Sequence, residues 1–140
     1  MGRVIALDYG RSRVGVALSD ESQSLSFPKP YVLLAQREDL VKLIRDEGVE
    51  QILVGLPKNL RGEEREIAAE ARQFGEYLGG QTGIAVEYVD ERFTTLEAKR
   101  RLSEAGQQGV RKQRGQQDSV AAHILLEQYL QNHKKLNKMT

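Results

Sequence analysis

Three carboxylates in this sequence stand where an acid is costly unless something binds it. Asp8 closes an unbroken apolar run, Val4-Ile5-Ala6-Leu7, the pattern of a strand covered on both faces. Glu91 follows the alternating stretch Ile84–Val89, within Asp90-Glu91-Arg92. Asp118 falls on the apolar stripe of the last helical segment, on one face with Ala121, Ala122, Leu125 and Tyr129 at about 100° per residue. Two of them have a plain structural reading: Asp8 as a turn aspartate bonding its own backbone, Asp118 as an acid at the positive end of a helix dipole. Together the three have a chemical one. Like charges brought together need a cation, and an all-oxygen set from two strand ends and a helix suits a hard ion, Mg²⁺ or Mn²⁺. Two such ions roughly 4 Å apart activate a water and stabilise the leaving oxygen of a phosphodiester.

The elements that must position these acids follow from the order of the chain. Tyr9-Gly10-Arg11-Ser12 makes a turn, and Val14–Leu18 returns as the second strand of a hairpin. Pro28 and Pro30 exclude a central strand but permit an edge strand continuing through Tyr31–Leu34, expected to give the first strand two adjacent antiparallel partners. Arg37–Glu47 predicts a helix stopped by Gly48, and Gln51–Leu56 a further buried strand. After the polar, basic loop Pro57–Gly62, Ile67, Ala71, Phe74 and Leu78 mark an amphipathic helix. Glu63, Glu64 and Glu66 crowd its first turn, and Gly79-Gly80 are expected to close it. Thr94-Thr95-Leu96-Glu97 matches a capping box opening another helix, ended by Gly106. Gly106–Gly115 is a glycine-rich basic loop, and the last helix is predicted over about Gln117–Gln131. The predicted fold class is α/β: a five-stranded mixed sheet, its first strand central, the first three strands antiparallel and the later ones parallel, flanked by helices. His123 lies off the Asp118 face and reads as a surface residue; His133 lies in the tail.

Bulk properties narrow the function. The 140 residues suffice for one domain with a real core, 1–140. No apolar run approaches the roughly 20 residues of a membrane span, no signal peptide opens the chain, and no membrane partner is expected. Cysteine is absent, which removes thiolate metal sites and nucleophiles and points to the cytoplasm. Residues 1–91 hold 11 Lys/Arg against 16 Asp/Glu, a net of −5; residues 92–140 hold 10 against 4, a net of +6. That polarity suggests a polyanion held by the C-terminal third.

The motifs DYGRSRVGVALSD, VGLPKNLRGEE, DERFTT followed by Glu97-Ala98, and DSVAAHILLEQYL resemble, in order, those of the YqgF family. That family, also called RuvX, comprises pre-16S ribosomal RNA nucleases and Holliday-junction-resolvase-like proteins. The resemblance runs from Arg3 to about Leu130. It implies a ribonuclease H-like fold, a divalent metal, and Asp8, Glu91 and Asp118 as the acidic set. One departure stands out. The related RuvC-type resolvases carry an acid at the end of the fourth strand, whereas QILVGLP has none, so the second acid must be Glu91 or its neighbour Asp90.

The reading expected from all this is a metal-dependent nuclease on structured nucleic acid, with the 5′ end of pre-16S ribosomal RNA as the first candidate and branched DNA as the alternative. It would act as a monomer or homodimer. Arg11, Arg13, Lys58, Arg61, Arg92, Arg111, Lys112 and Arg114 are the expected phosphate-binding residues. A catalytically silent assembly factor on the same scaffold is a competing reading. So is an ATP-binding actin-like lobe, but that fold needs a second lobe for which 140 residues leave no room. Replacing Arg111, Lys112 and Arg114 together by Ala is expected to weaken nucleic-acid binding alike across sequences and to flatten the plot of log affinity against log salt. An unchanged slope would make the Gly106–Gly115 segment a plain surface connection.

Overall fold

The computed structural model describes residues 2–57, 63–90 and 119–139. Five strands, β1 (Arg3–Asp8), β2 (Arg13–Ser19), β3 (Ser26–Leu33), β4 (Val49–Leu56) and β5 (Ala85–Asp90), form one sheet in the order β3-β2-β1-β4-β5. The apolar run before Asp8 therefore occupies the centre. β1 pairs antiparallel with β2 and parallel with β4; β4 pairs parallel with β5. β3 lies at the edge, as its prolines require, but against β2 rather than β1. The first strand thus has one antiparallel neighbour, not the two expected, because its other flank is taken by β4.

Alternation along β1 divides the core. Ile5 and Leu7 face a cluster built with α1 (Glu38–Asp46) and α2 (Glu63–Thr82), including Leu40, Ile44, Ala71, Phe74 and Leu78. Val4 and Ala6 face a smaller cluster with Ala122, Leu125, Leu126 and Leu130 of α3 (Val120–Met139). The helix predicted from Thr94 lies outside the described residues. Among the described residues no helix is long and apolar enough to cross a membrane.

One helix end meets expectation and two depart from it. α1 stops at Gly48, whose φ of +64° suits glycine. α2 runs through Gly79-Gly80 to Thr82 and ends at Gly83, φ +74°. Gly75 and Gly79 instead serve close packing: a Cβ on Gly75 would lie 2.6 Å from the Tyr88 hydroxyl, and one on Gly79 3.1 Å from Val86 Cγ2. α3 continues beyond Gln131 to Met139. His123 is not a surface residue: its side chain is only 19% exposed, with Nδ1 2.9 Å from Ser26 Oγ on β3.

The β2–β3 connection is organised by Asp20. Its Oδ1 accepts the backbone N–H groups of Ser24 (2.7 Å) and Leu25 (3.0 Å), and its Oδ2 accepts the Ser22 hydroxyl (2.8 Å). These bonds, Leu25 foremost and then Ser22, hold the carboxyl down to about 2, from an ordinary value of 3.8. A depressed carboxyl contributes stability above its unfolded value and loses it as pH falls through the folded one. Asp20→Ala is therefore expected to melt below wild type at neutral pH. The gap should narrow below about pH 4 and close near pH 2 in melts across that range.

Candidate active site

Asp8 is the last residue of β1, held on both flanks by strand pairing. Its register partners are Gly15 on β2 and Gly55 on β4, so no side chain of an adjacent strand crowds the carboxylate laterally. By alternation after Val4 and Ala6, Asp8 projects from the α3 face. It is half-buried, and among the described residues no donor or cation pairs with its side chain. An acid so placed fits a hard cation better than a turn aspartate, which would be bonded to its own backbone.

The start of α3 is brought to that same point. Ser119 is 6% exposed and donates its hydroxyl to the Lys29 carbonyl of β3 at 2.8 Å. Its own carbonyl accepts the His123 N–H at 2.9 Å, the first helical bond. A Cβ on Gly15 would sit 3.3 Å from the Cβ atoms of both Asp8 and Ser119. The glycine thus lets the helix start close over the end of β1. Asp118 immediately precedes Ser119, and Asp118 itself lies outside the described residues, as does Glu91.

β5 fixes the side of the sheet on which Asp90, one of the two candidates for the second acid, stands. Val86 and Tyr88 pack with the α1/α2 cluster, and Val89 packs with the α3 cluster. Asp90 alternates with Val89 and so shares the α2 face with Tyr88, opposite to Asp8.

The arginines of the β1–β2 turn also part company. Arg13 alternates with Val14, which belongs to the α1/α2 cluster, so Arg13 projects from the face of Asp8, with its guanidinium 4.8 Å from the Tyr31 ring centroid. Arg11 turns to the other side. Its Nη2 and Nε donate to Glu70 Oε2 on α2 at 2.9 and 3.2 Å, and Nη2 lies 3.4 Å from Glu66 Oε2. Tyr9 OH donates to Glu70 Oε1 at 3.0 Å, and its ring stacks tilted on Phe74 at 5.4 Å. Arg11 and then Tyr9 lower the Glu70 carboxyl below its ordinary value; burial, with Glu70 second, raises the Tyr9 phenol. Of the expected phosphate-binding residues, Lys58, Arg61, Arg92, Arg111, Lys112 and Arg114 lie outside the described residues.

Sequence reasoning missed Ser119, Gly15, Tyr31 and Glu70. Ser119 carried a usable signal, a small polar residue next to Asp118 on an inward helix face. The Glu70–Arg11 pairing spans 59 positions and had none.

The chain resembles known proteins in sequence and in fold. The family model for RuvX, described as Holliday junction resolvase, matches residues 2–132. A protein of Anaeromyxobacter sp. named "Putative pre-16S rRNA nuclease" is 40% identical over 91% of this chain and 96% of its own. Proteins of the same name from Aeromonas hydrophila and Bacteroides fragilis are 37% and 36% identical, covering 91% and 94% of this chain and 94% and 97% of theirs. A solved structure of Thermus thermophilus RuvC in complex with Holliday junction substrate superposes with a TM-score of 0.63 at 11% identity, covering 96% of this chain and 97% of that one. At that identity the likeness is one of fold, here a mixed five-stranded sheet of the ribonuclease H-like kind.

The contact between Gly15 and Ser119 gives a direct test. Gly15→Ala, which would set a methyl 3.3 Å from two neighbouring Cβ atoms, is expected to cost about 1 kcal/mol in urea unfolding, the low end of overpacking. In a Ser119→Gly background, which removes one of the two Cβ atoms it would press on, the same substitution should cost measurably less; strict additivity would mean the two sites do not touch.

Proposed function

The chain belongs to the RuvX family, and from that premise we propose that it is a divalent-metal-dependent nuclease that trims the 5′ end of the 16S ribosomal RNA precursor. The observation that carries the reading is the Asp8 carboxylate. It ends the central strand, half-buried, without a protein partner among the described residues, and Ser119, the residue before α3, meets the same Gly15. The relatives' shared name supports the choice of substrate.

Asp8, Glu91 and Asp118 are the proposed ligands of Mg²⁺ or Mn²⁺. The donor set fits: carboxylate oxygens only, in a chain without cysteine. The ions, when bound, lower the pKa of water and neutralise charge on the leaving oxygen. The chain's own residues do the rest. Strand pairing on both flanks fixes Asp8, and the side-chain-free flanks at Gly15 and Gly55 leave space around its carboxylate. Arg13, on the same face and steadied by Tyr31, is placed to bind substrate phosphate with its planar fork. Glu91 is the proposed second acid because Asp90 projects from the wrong face. Lys58, Arg61, Arg92, Arg111, Lys112 and Arg114 are proposed to hold the RNA backbone electrostatically.

Incubation of labelled ribosomal RNA precursor with Mn²⁺ tests this, with a four-way DNA junction and single strands as controls. Asp8→Asn, Glu91→Gln and Asp118→Asn should each abolish cleavage and leave binding largely intact, while Asp90→Asn continues to cut. In chelator, the Asp8→Asn and Asp118→Asn proteins should melt no lower than wild type, since neutralising one acid relieves repulsion. An Asp118→Asn protein that melts lower in chelator by about 0.5–2 kcal/mol and cuts at the wild-type rate would make Asp118 a helix cap and remove it from the site.

A further inference from the structure

Two arginines two residues apart leave the same turn for opposite faces, and Arg11 is bound to acids across the fold. Arg11 presents Nε and Nη2 to Glu70 as a forked pair and touches Glu66 with Nη2. This is the geometry in which a guanidinium binds phosphate, with carboxylates in the phosphate's place. Glu70 is itself held by the Tyr9 hydroxyl, and Tyr9 directly follows Asp8. The latch therefore joins the turn beside the proposed active site to the middle of α2. It is also open to solvent: the side chains of Arg11, Glu70 and Glu66 are 44%, 35% and 73% exposed. An ion pair so exposed is weak in water and sensitive to salt. It adds little to stability, yet a dense polyanion can compete for it.

We infer that Glu70 is a specificity-determining residue that withholds Arg11 from nucleic acid until substrate phosphate displaces it. The inference rests on the reading of the chain as a nucleic-acid-binding nuclease. Arg13 stands on the face of Asp8, against the Tyr31 ring. Arg11 joins only where the phosphate density around the turn suffices to outbid two carboxylates. The effect is discrimination by charge density, favouring structured nucleic acid over short single strands, since a folded or duplex segment brings more phosphates within reach of one turn.

The test is binding of a labelled RNA hairpin and a labelled DNA duplex in chelator, where cleavage is silent, across a salt series. Glu70→Gln should tighten binding by about 2- to 5-fold, the equilibrium equivalent of a weak surface pair. It should also steepen the plot of log affinity against log salt by about 0.7–0.9, one added phosphate contact. Glu66→Gln should act in the same direction but less. Glu76→Gln removes one negative charge from the same helix away from Arg11, at Tyr88, and measures the effect of net charge alone. In an Arg11→Ala background, Glu70→Gln should do no more than Glu76→Gln. These variants alter exposed or half-buried positions, and unchanged far-ultraviolet circular dichroism verifies the fold. A Glu70→Gln effect no larger than that of Glu76→Gln, or equally large without Arg11, overturns the inference. So does weaker binding by Glu70→Gln. Cleavage by wild type and its loss in Asp8→Asn report on the nuclease reading separately, and a wild type that binds neither probe overturns both.

Discussion

Between Arg3 and Asp8, β1 is hydrogen-bonded to β2 on one side and β4 on the other, while α3 covers Val4 and Ala6 and the α1/α2 layer covers Ile5 and Leu7. All four apolar residues are at most 1% exposed. Burying a Val, Leu or Ile side chain is worth about 1.5–3 kcal/mol, so a strand sealed on four sides cannot slip in register without exposing one set of side chains to the wrong layer. That immobility is inherited by whatever stands at the strand's end. Asp8 is therefore held by the main chain and the core, which frees its carboxylate from any need for a protein partner.

The two-layer cover also sorts the polar residues around the sheet's end. Strand alternation sends Asp8 and Arg13 to the α3 side and Asp90 to the α2 side, while the turn carries Arg11 across to Glu70. Charges close in sequence thereby reach different electrostatic environments. Arg13 packs against an aromatic face; Arg11 rests on two carboxylates, which compete with any incoming anion. The same parity separates Asp90 from Asp8, although a single residue of shift along β5 would unite them.

How much of this the sequence carried depended on the range of the interaction. The central strand was legible because Val4–Leu7 lack alternation, and the edge strand because Pro28 and Pro30 cannot donate to a ladder on both sides. The inward stripe of α3 was legible from Ala122, Leu125 and Tyr129 at helical spacing. Glycine was ambiguous. Gly79-Gly80 look like a helix stop in isolation, but the helix passes through them because Gly79 lies against Val86 of β5, a contact invisible to local pattern. His123 went astray for a related reason. Its place off the Asp118 stripe suggested solvent, whereas the β2–β3 hairpin reaches back to give it Ser26. The Asp90 and Glu91 alternatives were inseparable in sequence, because the choice turns on which helix layer each face of β5 meets.

The edge strand, which looks like the least constrained part of the sheet, bears on the site through one carbonyl. Lys29 lies between Pro28 and Pro30, and a residue before proline is biased to extended backbone while each proline fixes its own φ near −65°. The Lys29 carbonyl is thus a stiff acceptor, and it receives the buried Ser119 hydroxyl at the foot of α3. A more flexible segment would lose backbone entropy in making the same bond. At the edge, prolines also blunt pairing with a further strand. Pro-Lys-Pro therefore meets two demands with one sequence: it protects the open flank of the sheet and anchors the helix whose start lies over Asp8.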